Sequence, residues 1–480
     1  MDRKQIAQRA SQLKTKEDLL NLLNQIKKAE IEEMGFDASM FHPFTEKQLN
    51  FYCNPNHAFH RYRQFKIEKK SGGFRQITAP RKQTFMMMLS AVNEILKSKY
   101  TPSNYAMGFT EGRSVVTNAS IHKGQNYVFN IDLKDFFPSI HQARVWKRLQ
   151  VKPFCFTQPI ANLIAGLCAM KEVREDEKGK KYNVYVLPQG APTSPIITNI
   201  ICDRLDFLLG AVAKRFGLNY SRYADDITFS SMHNVYQKDS AFRKELVRII
   251  EDQGFTINEA KTRLQKKGAR QEVTGIIVSD KLNVTQKYVR DIRNILYIWD
   301  RYGYNVAYGK FFPKYKEEKG HVKKGNPDLM NVIEGKLLYL KMVKGKEDSV
   351  YKKLYAKFNK LADKDTIEQN TNNAGVTYIE TANLLDFEKK NSTAIVFATS
   401  KKGHHYAYFT LKDEKQLVSV NKSLTIDDEQ HKEVLAISSC RGKDSKPFWL
   451  IHRQDKVTVP PPPLIDIEAL NADLDSLLNM

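Results

Sequence analysis

The chain has 480 residues, is 41% hydrophobic and carries a formal net charge of +22. That length allows two to four domains with a sizeable core. A positive excess this large points beyond solubility to a polyanion, most plausibly nucleic acid, or to an acidic membrane surface.

No run approaches the roughly 18 apolar residues of a membrane helix, and the opening MDRKQIAQRA lacks the apolar core of a signal peptide. Five scattered cysteines, Cys53, Cys155, Cys168, Cys202 and Cys440, form no CxxC pair, which fits a reduced compartment and neither a disulfide framework nor a zinc site. The expectation is a soluble, cytoplasmic protein with no membrane partner.

In chain order, residues 1–50 read as helices, with Leu19, Leu20, Leu23 and Ile26 at helical spacing. Residues 62–80 read as a hairpin around Gly72-Gly73. FMMMLSAVNEILKSKY returns to helix. QNYVFNIDLKDFFPSI begins as a strand, with Phe129, Ile131 and Leu133 on one face and Val128, Asn130 and Asp132 on the other. Pro138 and Ser139 are expected to open the next helix. SPIITNIICDRLDFLLGAVAKRFG is a helix with Pro195 near its start, Gly217 past its end, and Ile197, Ile201, Leu205, Leu208 and Val212 along one face. SRYADDITFS, residues 221–230, reads as strand, tight turn, strand.

Residues 285–365 look mostly helical and strongly basic. Beyond Thr366 come short strand-like runs, NSTAIVFATS, HHYAYFTLK, KEVLAISS and KPFWLIHRQ, then a stiff PPPPL linker at 460–464. An acidic amphipathic helix with Leu470, Leu474, Leu477 and Leu478 closes the chain. The charge changes with the texture: 366–480 holds 13 basic and 16 acidic residues, a net of −3, leaving +25 on 1–365. The partner-binding surface therefore belongs to the first three quarters.

Asp225 and Asp226 raise the chemical question. Adjacent carboxylates repel, and strands disfavour Asp. A turn Asp usually just bonds local backbone. Asp132, however, lies on the polar face of an otherwise apolar strand. If that strand pairs antiparallel with the hairpin, Asp132, Asp225 and Asp226 converge. Converging carboxylates raise each other's pKa, and a divalent metal removes that cost. Mg²⁺ takes a few carboxylates plus substrate phosphates. Two such ions about 3.5–4 Å apart serve phosphoryl transfer.

Over roughly residues 40–365 the chain resembles the reverse transcriptases of bacteria. NIDLKDFFPSI, LPQGAPTSPIITN and RYADDITF are similar to their three catalytic motifs, with INEAKT and VTGIIV behind them in order. Within that class, NASIH at 118–122 and VTG at 273–275 resemble the signatures of retron enzymes. The resemblance implies an α+β, right-hand polymerase: a helical N-terminal region (1–50), fingers and palm (51–284) and a basic helical thumb (285–365). A small β-rich C-terminal domain (366–459) and a linker with the acidic helix (460–480) would follow. It implies an RNA-directed DNA polymerase using Mg²⁺, two ions, with Mn²⁺ able to substitute.

By the same resemblance, Asp132 and Asp225 are the main metal ligands and Asp226 the second carboxylate of the turn, with the carbonyl of Ile131 or of Leu133 completing a coordination shell. Phe137 stacks under the nucleotide sugar and excludes a 2′-OH; the plain alternative is core packing. Lys69 and Arg75 clamp the triphosphate, or else form a solvated hairpin tip. Gln189 and Gly190 line the nucleotide pocket, Gly190 allowing close backbone approach. Lys261 resembles a lysine near the leaving pyrophosphate, a general acid; its bland reading is a solvent-facing side chain. Val273, Thr274 and Gly275 sit by the primer end. Asn118 and His122, spaced i, i+4, touch the RNA or, with nearly equal weight, form a polar cap. His404 and His405 read as surface residues.

The implied partners are a structured non-coding RNA and its cDNA, dNTPs, and an effector or toxin protein in anti-phage defence. Priming from an internal 2′-OH would give a branched RNA–DNA product. KKGHHYAYF and KPFWLIHR mix aromatic with basic residues, which suits base stacking, although the net −3 of that region argues against it. The rivals are a group II intron-like or abortive-infection reverse transcriptase, or a catalytically silent RNA-binding scaffold. The region past Thr366 has one cysteine and no Cys/His cluster of the kind an intron nuclease tail carries.

Overall fold

The computed structural model describes the chain except residues 36–38, 40, 69–71, 319–326, 373–376, 400–404, 412–413, 421–431, 433–434, 442–447 and 454–480. Lys69, His404, the proline linker and the acidic C-terminal segment thus lie outside the described residues. Two compact units result. The first contains 1–290, 315–325 and 338–351; the second contains 291–314, 326–337 and 352–480.

The first unit opens with three helices, Arg3–Ala10, Lys16–Glu33 and Glu46–Cys53. Each starts at a reciprocal capping box, Asp2 with Gln5, Thr15 with Asp18 and Thr45 with Gln48, which satisfies two end N–H groups at once. Leu19, Leu23 and Ile26 are buried on the stripe read from the sequence, and Leu22 joins them. The hairpin pairs Tyr62–Glu68 with Phe74–Pro80, antiparallel, from Tyr62 opposite Pro80 to Glu68 opposite Phe74.

Behind it lie the helices Gln83–Lys99 and Ser194–Arg215. The latter is buried well beyond the expected face: Ile196, Ile200 and Leu209 are interior along with Ile197, Ile201, Leu205 and Val212. All belong to one large core that also takes in Phe129 and Ile131. Pro138 and Ser139 do not open a helix. They lie in a run of turns, and the helix starts at Gln142. The Ser139 hydroxyl bonds the Phe136 carbonyl and its N–H bonds the Asp135 carbonyl, which closes local turns instead of a helical cap.

At the centre is a four-stranded sheet in the order Asn219–Tyr223, Asp226–Ser231, Tyr127–Asp132, Arg263–Lys266. All its pairings are antiparallel.

Helices Gln286–Tyr302, Tyr304–Glu318, Leu329–Lys344 and Ser349–Asn372 follow. The last runs straight through residue 366, so the charge break does not coincide with a break in structure. Within the second unit Trp299 is buried and packs edge-on against Tyr304 and Phe358, at 5.3 and 6.0 Å between ring centres.

That unit also holds a six-stranded sheet in the order Thr377–Asn383, Leu435–Arg441, Phe448–Arg453, Glu414–Val420, His405–Leu411, Val396–Thr399. Only Glu414–Val420 and Phe448–Arg453 run parallel to each other. Leu384 and Phe387 of the helix Leu384–Asn391 share a core with Phe409, Val418, Ile437 and Ile451, and Trp449 packs against it. Phe409 and Tyr406 are buried, so the aromatic residues expected to stack bases are mainly structural. No described helix is long and apolar enough to cross a membrane.

Candidate active site

The paired strands place the acidic residues. Asp132 ends its strand directly opposite Asp226. Tyr223 pairs with Asp226 across the hairpin, so Ala224 and Asp225 form a two-residue turn. Ala224 takes a left-handed φ of 57°, a conformation unfavourable for a residue with a Cβ.

A buried ion pair holds it there. Arg222 sends Nε to Asp206 Oδ1 and Nη2 to Asp206 Oδ2, both at 2.8 Å, and Nη1 to the Ala224 carbonyl at 3.1 Å. Both charged side chains are fully buried. Tyr220 and Asn199 complete the shell, the Tyr220 hydroxyl donating to Asp206 at 2.8 Å and Arg222 donating to Asn199 Oδ1 at 3.1 Å. Gly108 lets the preceding chain close on this turn, because a Cβ there would lie 2.6 Å from the Ala224 nitrogen.

Asp132 and Asp225 open onto a cleft of about 1440 Å³, which Leu133, Phe109, Phe137, Arg75, Gln189, Asn258 and Lys261 also line. That exceeds the usual small-molecule pocket and suits a polymer end with a nucleotide. Lys261 Nζ grips both oxygens of Asp132 at 2.9 and 2.8 Å, and Asn258 Nδ2 donates to Oδ1 at 2.9 Å. Burial, then the charge of Asp132, pushes the Asp225 carboxyl up, against its own backbone N–H, Lys261 and Arg75. Asp226 keeps an exposed edge, yet the protein mass around it, followed by Asp225 and Asp132, pushes its carboxyl up to about 6.

Among the described residues no three His, Cys, Asp or Glu side chains are gathered tightly enough to hold one metal ion. Asp132, Asp226 and the turn residue Asp225 share the paired strands without closing into a single cage. Lys261 and Asn258 hold the Asp132 carboxylate, and Asp226 is not among the cleft-lining residues. The remaining donor pair, Asp132 and Asp225, still fits a hard cation that draws its other oxygens from substrate and water. Both Ile131 and Leu133 have buried side chains, but only Leu133 lines the cleft, which favours the Leu133 carbonyl over that of Ile131.

The other expected residues divide. Phe137 lies in the cleft, half-buried, with its ring 6.2 Å from Phe109 and 5.6 Å from Phe136. Arg75 and Gln189 are cleft residues, and the Gln189 carbonyl accepts from the Thr78 N–H at 2.8 Å. Gly190 is not among the lining residues. With φ +127° and a would-be Cβ 3.0 Å from both Ile77 Cγ2 and the Thr78 oxygen, it admits the hairpin strand, so the close approach is to protein backbone. Val273 is buried, Thr274 half-buried and Gly275 exposed, the last two forming a left-handed turn at φ 47° and 83°.

Asn118 and His122 do not face outward. Both are buried, at 1% and 0% exposure. Ser221 Oγ donates to Asn118 Oδ1 at 2.7 Å, while His122 Nε2 meets Ser221 Oγ at 2.7 Å and Nδ1 meets Ser230 Oγ at 2.8 Å. Asn118 Nδ2 reaches Thr274 Oγ1 at 3.4 Å. Direct contact of Asn118 or His122 with RNA is thereby corrected. Their bonds tie the helix Val115–Ile121 to the catalytic hairpin and to the 274–275 turn.

Comparison with known proteins agrees with this geometry. Residues 67–279 match the reverse transcriptase (RNA-dependent DNA polymerase) family. The chain is 37% identical to the retron Mx65 reverse transcriptase of Myxococcus xanthus over 248 residues, 51% of this chain and 57% of that protein. It is 36% identical to the retron Mx162 enzyme of the same organism, over 46% of this chain and 49% of that protein. It is 32% identical to the retron Ec86 reverse transcriptase of Escherichia coli over 48% of this chain and 68% of the relative. The chain belongs to the retron reverse transcriptases. It spans about half the length of the two Myxococcus relatives.

Within this family site, sequence reasoning missed Asn258, Phe109 and the Arg222–Asp206 pair. Asn258 sits in the quoted INEAKT motif and Arg222 in SRYADDITFS, so position in the motifs was an available signal. Asp206 and Phe109 had none, because their roles arise from packing.

Proposed function

We propose that the chain is an RNA-directed DNA polymerase that copies a structured, retron-type non-coding RNA into DNA. The observation that carries this reading is the pairing of Asp132 opposite Asp226, which brings Asp132 and the turn residue Asp225 together on one large cleft. Membership of the retron family supports it. Asp132 and Asp225 are the residues to hold a pair of Mg²⁺ ions, with Mn²⁺ as substitute, and Asp226 is the second acid of the turn. Bound there, the ions supply neutralising charge at the reacting phosphates.

The chain's own residues do the positioning. Arg75 and Gln189 bind the incoming dNTP, joined by Lys69, and Gly190 seats the hairpin that carries Arg75. Phe137, beside Phe109, lies under the sugar and leaves no room for a 2′-OH. The primer hydroxyl loses its proton to solvent, its oxygen bonds to the α-phosphorus, the bond to pyrophosphate breaks, and Lys261 gives a proton to the departing oxygen. Lys261 must release Asp132 to do so. The 274–275 turn lies at the primer end.

Priming from an internal 2′-OH would leave a branched RNA–DNA product, and the system would serve anti-phage defence with an effector or toxin protein; family resemblance supports both. The decisive experiment is dNTP incorporation on an RNA template with Mg²⁺, comparing the wild type with Asp225→Asn. The variant keeps shape and loses one charge. Synthesis should fall at least about 10³-fold, equivalent to roughly 4 kcal/mol of barrier, while RNA still binds. Near-normal synthesis by the variant, in Mg²⁺ or Mn²⁺, sinks the assignment.

A further inference from the structure

The short segment leading into the fingers hairpin presents aromatic rings outward. Phe59 is 76% exposed and Phe51 37%. Single exposed apolar side chains need no explanation, but these rings form a continuous row. His57 stacks on Phe51 at 4.6 Å, His60 lies 6.4 Å from Phe51 and 5.5 Å from Phe59, and the Arg81 guanidinium sits 5.2 Å from the Phe59 ring centre. None of the five lines the polymerase cleft.

The frame beneath is rigid. Arg61 is fully buried and donates to the carbonyls of Asn54, Gly166 and Leu167 at 3.0, 3.0 and 2.6 Å. A Cβ on Gly166 would lie 2.2 Å from the Cys53 oxygen, so the helix Gln158–Cys168 and the end of Glu46–Cys53 meet backbone to backbone. Tyr185 donates to Asn56 Oδ1 at 2.9 Å. Rings held on such a support lose little freedom when a base stacks on them.

Charge selects the occupant. Residues 47–82 contain nine Lys or Arg and a single acidic residue, Glu68. Exposed rings among cations suit unpaired nucleotides, whose bases stack on aromatic faces while their phosphates meet the basic field. A duplex hides its bases and gains only the second of these.

We propose that the row His57–Phe51–His60–Phe59–Arg81 is a stacking platform for single-stranded RNA, an unpaired segment of the RNA partner lying outside the cleft. The proposal rests on the reading that the chain works on RNA. Its test uses the full chain, a short unstructured fluorescent RNA, and the same RNA annealed to its complement. Fluorescence anisotropy should show Phe59→Ala weakening single-strand binding by roughly 5- to 100-fold, with duplex binding unchanged and Phe59→Trp restoring affinity. Phe59 is so exposed that its truncation leaves the fold intact.

Equal binding by Phe59→Ala and wild type overturns the proposal. So does a parallel loss on both probes, or a Phe59→Trp as weak as Phe59→Ala. Primer extension in the same preparations separates the two readings: a wild type that binds through Phe59 but never extends a primer refutes the polymerase and leaves the platform standing.

Discussion

His122 turns the buried network behind the catalytic hairpin into a pH-sensitive support. The hydrogen-bond pattern determines its proton. Ser221 spends its hydroxyl hydrogen on Asn118 Oδ1, so it accepts from His122 Nε2–H. Nδ1 then carries a lone pair and accepts from Ser230, whose oxygen also receives Asn219 Nδ2 at 3.4 Å. A second proton on Nδ1 would leave Ser230 with donors on every side, in a site without solvent. Burial lowers the imidazole to about 3. The folded state therefore binds fewer protons than the unfolded chain, where His titrates near 6.5. This contribution is complete above about pH 6.5 and is lost as pH falls towards 3. At pH 5 the loss is about 2 kcal/mol, from RT ln(1 + 10^1.5). Hydrogen exchange suits a chain with two units, because local opening is read segment by segment. Asp225 and Asp226, raised in the fold, oppose this trend in both proteins, so His122 is read from the difference between wild type and His122→Gln. Corrected for intrinsic exchange, the opening free energy of residues 118–122 and 219–231 in the wild type, less that in the variant, should fall by about 2 kcal/mol between pH 7.5 and pH 5. A difference that does not change with pH refutes the buried neutral histidine.

Two further outcomes follow from the cleft and from the region beyond it. Phe137→Ala should raise ribonucleotide relative to deoxynucleotide incorporation, read as the ratio of kcat/KM for matched rNTP and dNTP; an unchanged ratio in a folded variant reduces Phe137 to packing against Phe136. A chain ending after Asn372, which spares the helix that a cut at 365 would sever, should still bind RNA and make cDNA but lose protection against phage in a plaque assay. Lost synthesis in a folded protein would assign the later residues to the polymerase, and retained protection would deny them an effector role.

What could be read beforehand and what could not have different physical origins. The strand alternation around Asp132 and the Asp225-Asp226 pair are local patterns, and local patterns survive in a linear text; their pairing across the sheet follows once the strands are antiparallel. The burial of Asn118 and His122 depends on which surface covers the helix Val115–Ile121, and i, i+4 spacing says only that two residues share a face. Here that face turns inward because Ser221, Ser230 and Thr274 offer partners from strands and a turn some 100 residues or more away. The Phe409 and Trp449 pattern misled for the same reason: aromatic–basic alternation describes a nucleic-acid surface and a half-buried strand equally well.

Asp206 supports the catalytic turn from a distance. In the sequence it is a polar interruption in an apolar helix. In the fold it neutralises Arg222, whose remaining N–H holds the Ala224 carbonyl at the turn. Breaking a buried pair of this kind by removing one partner costs about 3–5 kcal/mol, because the other charge is stranded. The left-handed turn that presents Asp225 is therefore maintained by a residue on another element, and the position of Asp225 depends on a charge pair that is not among the cleft-lining residues.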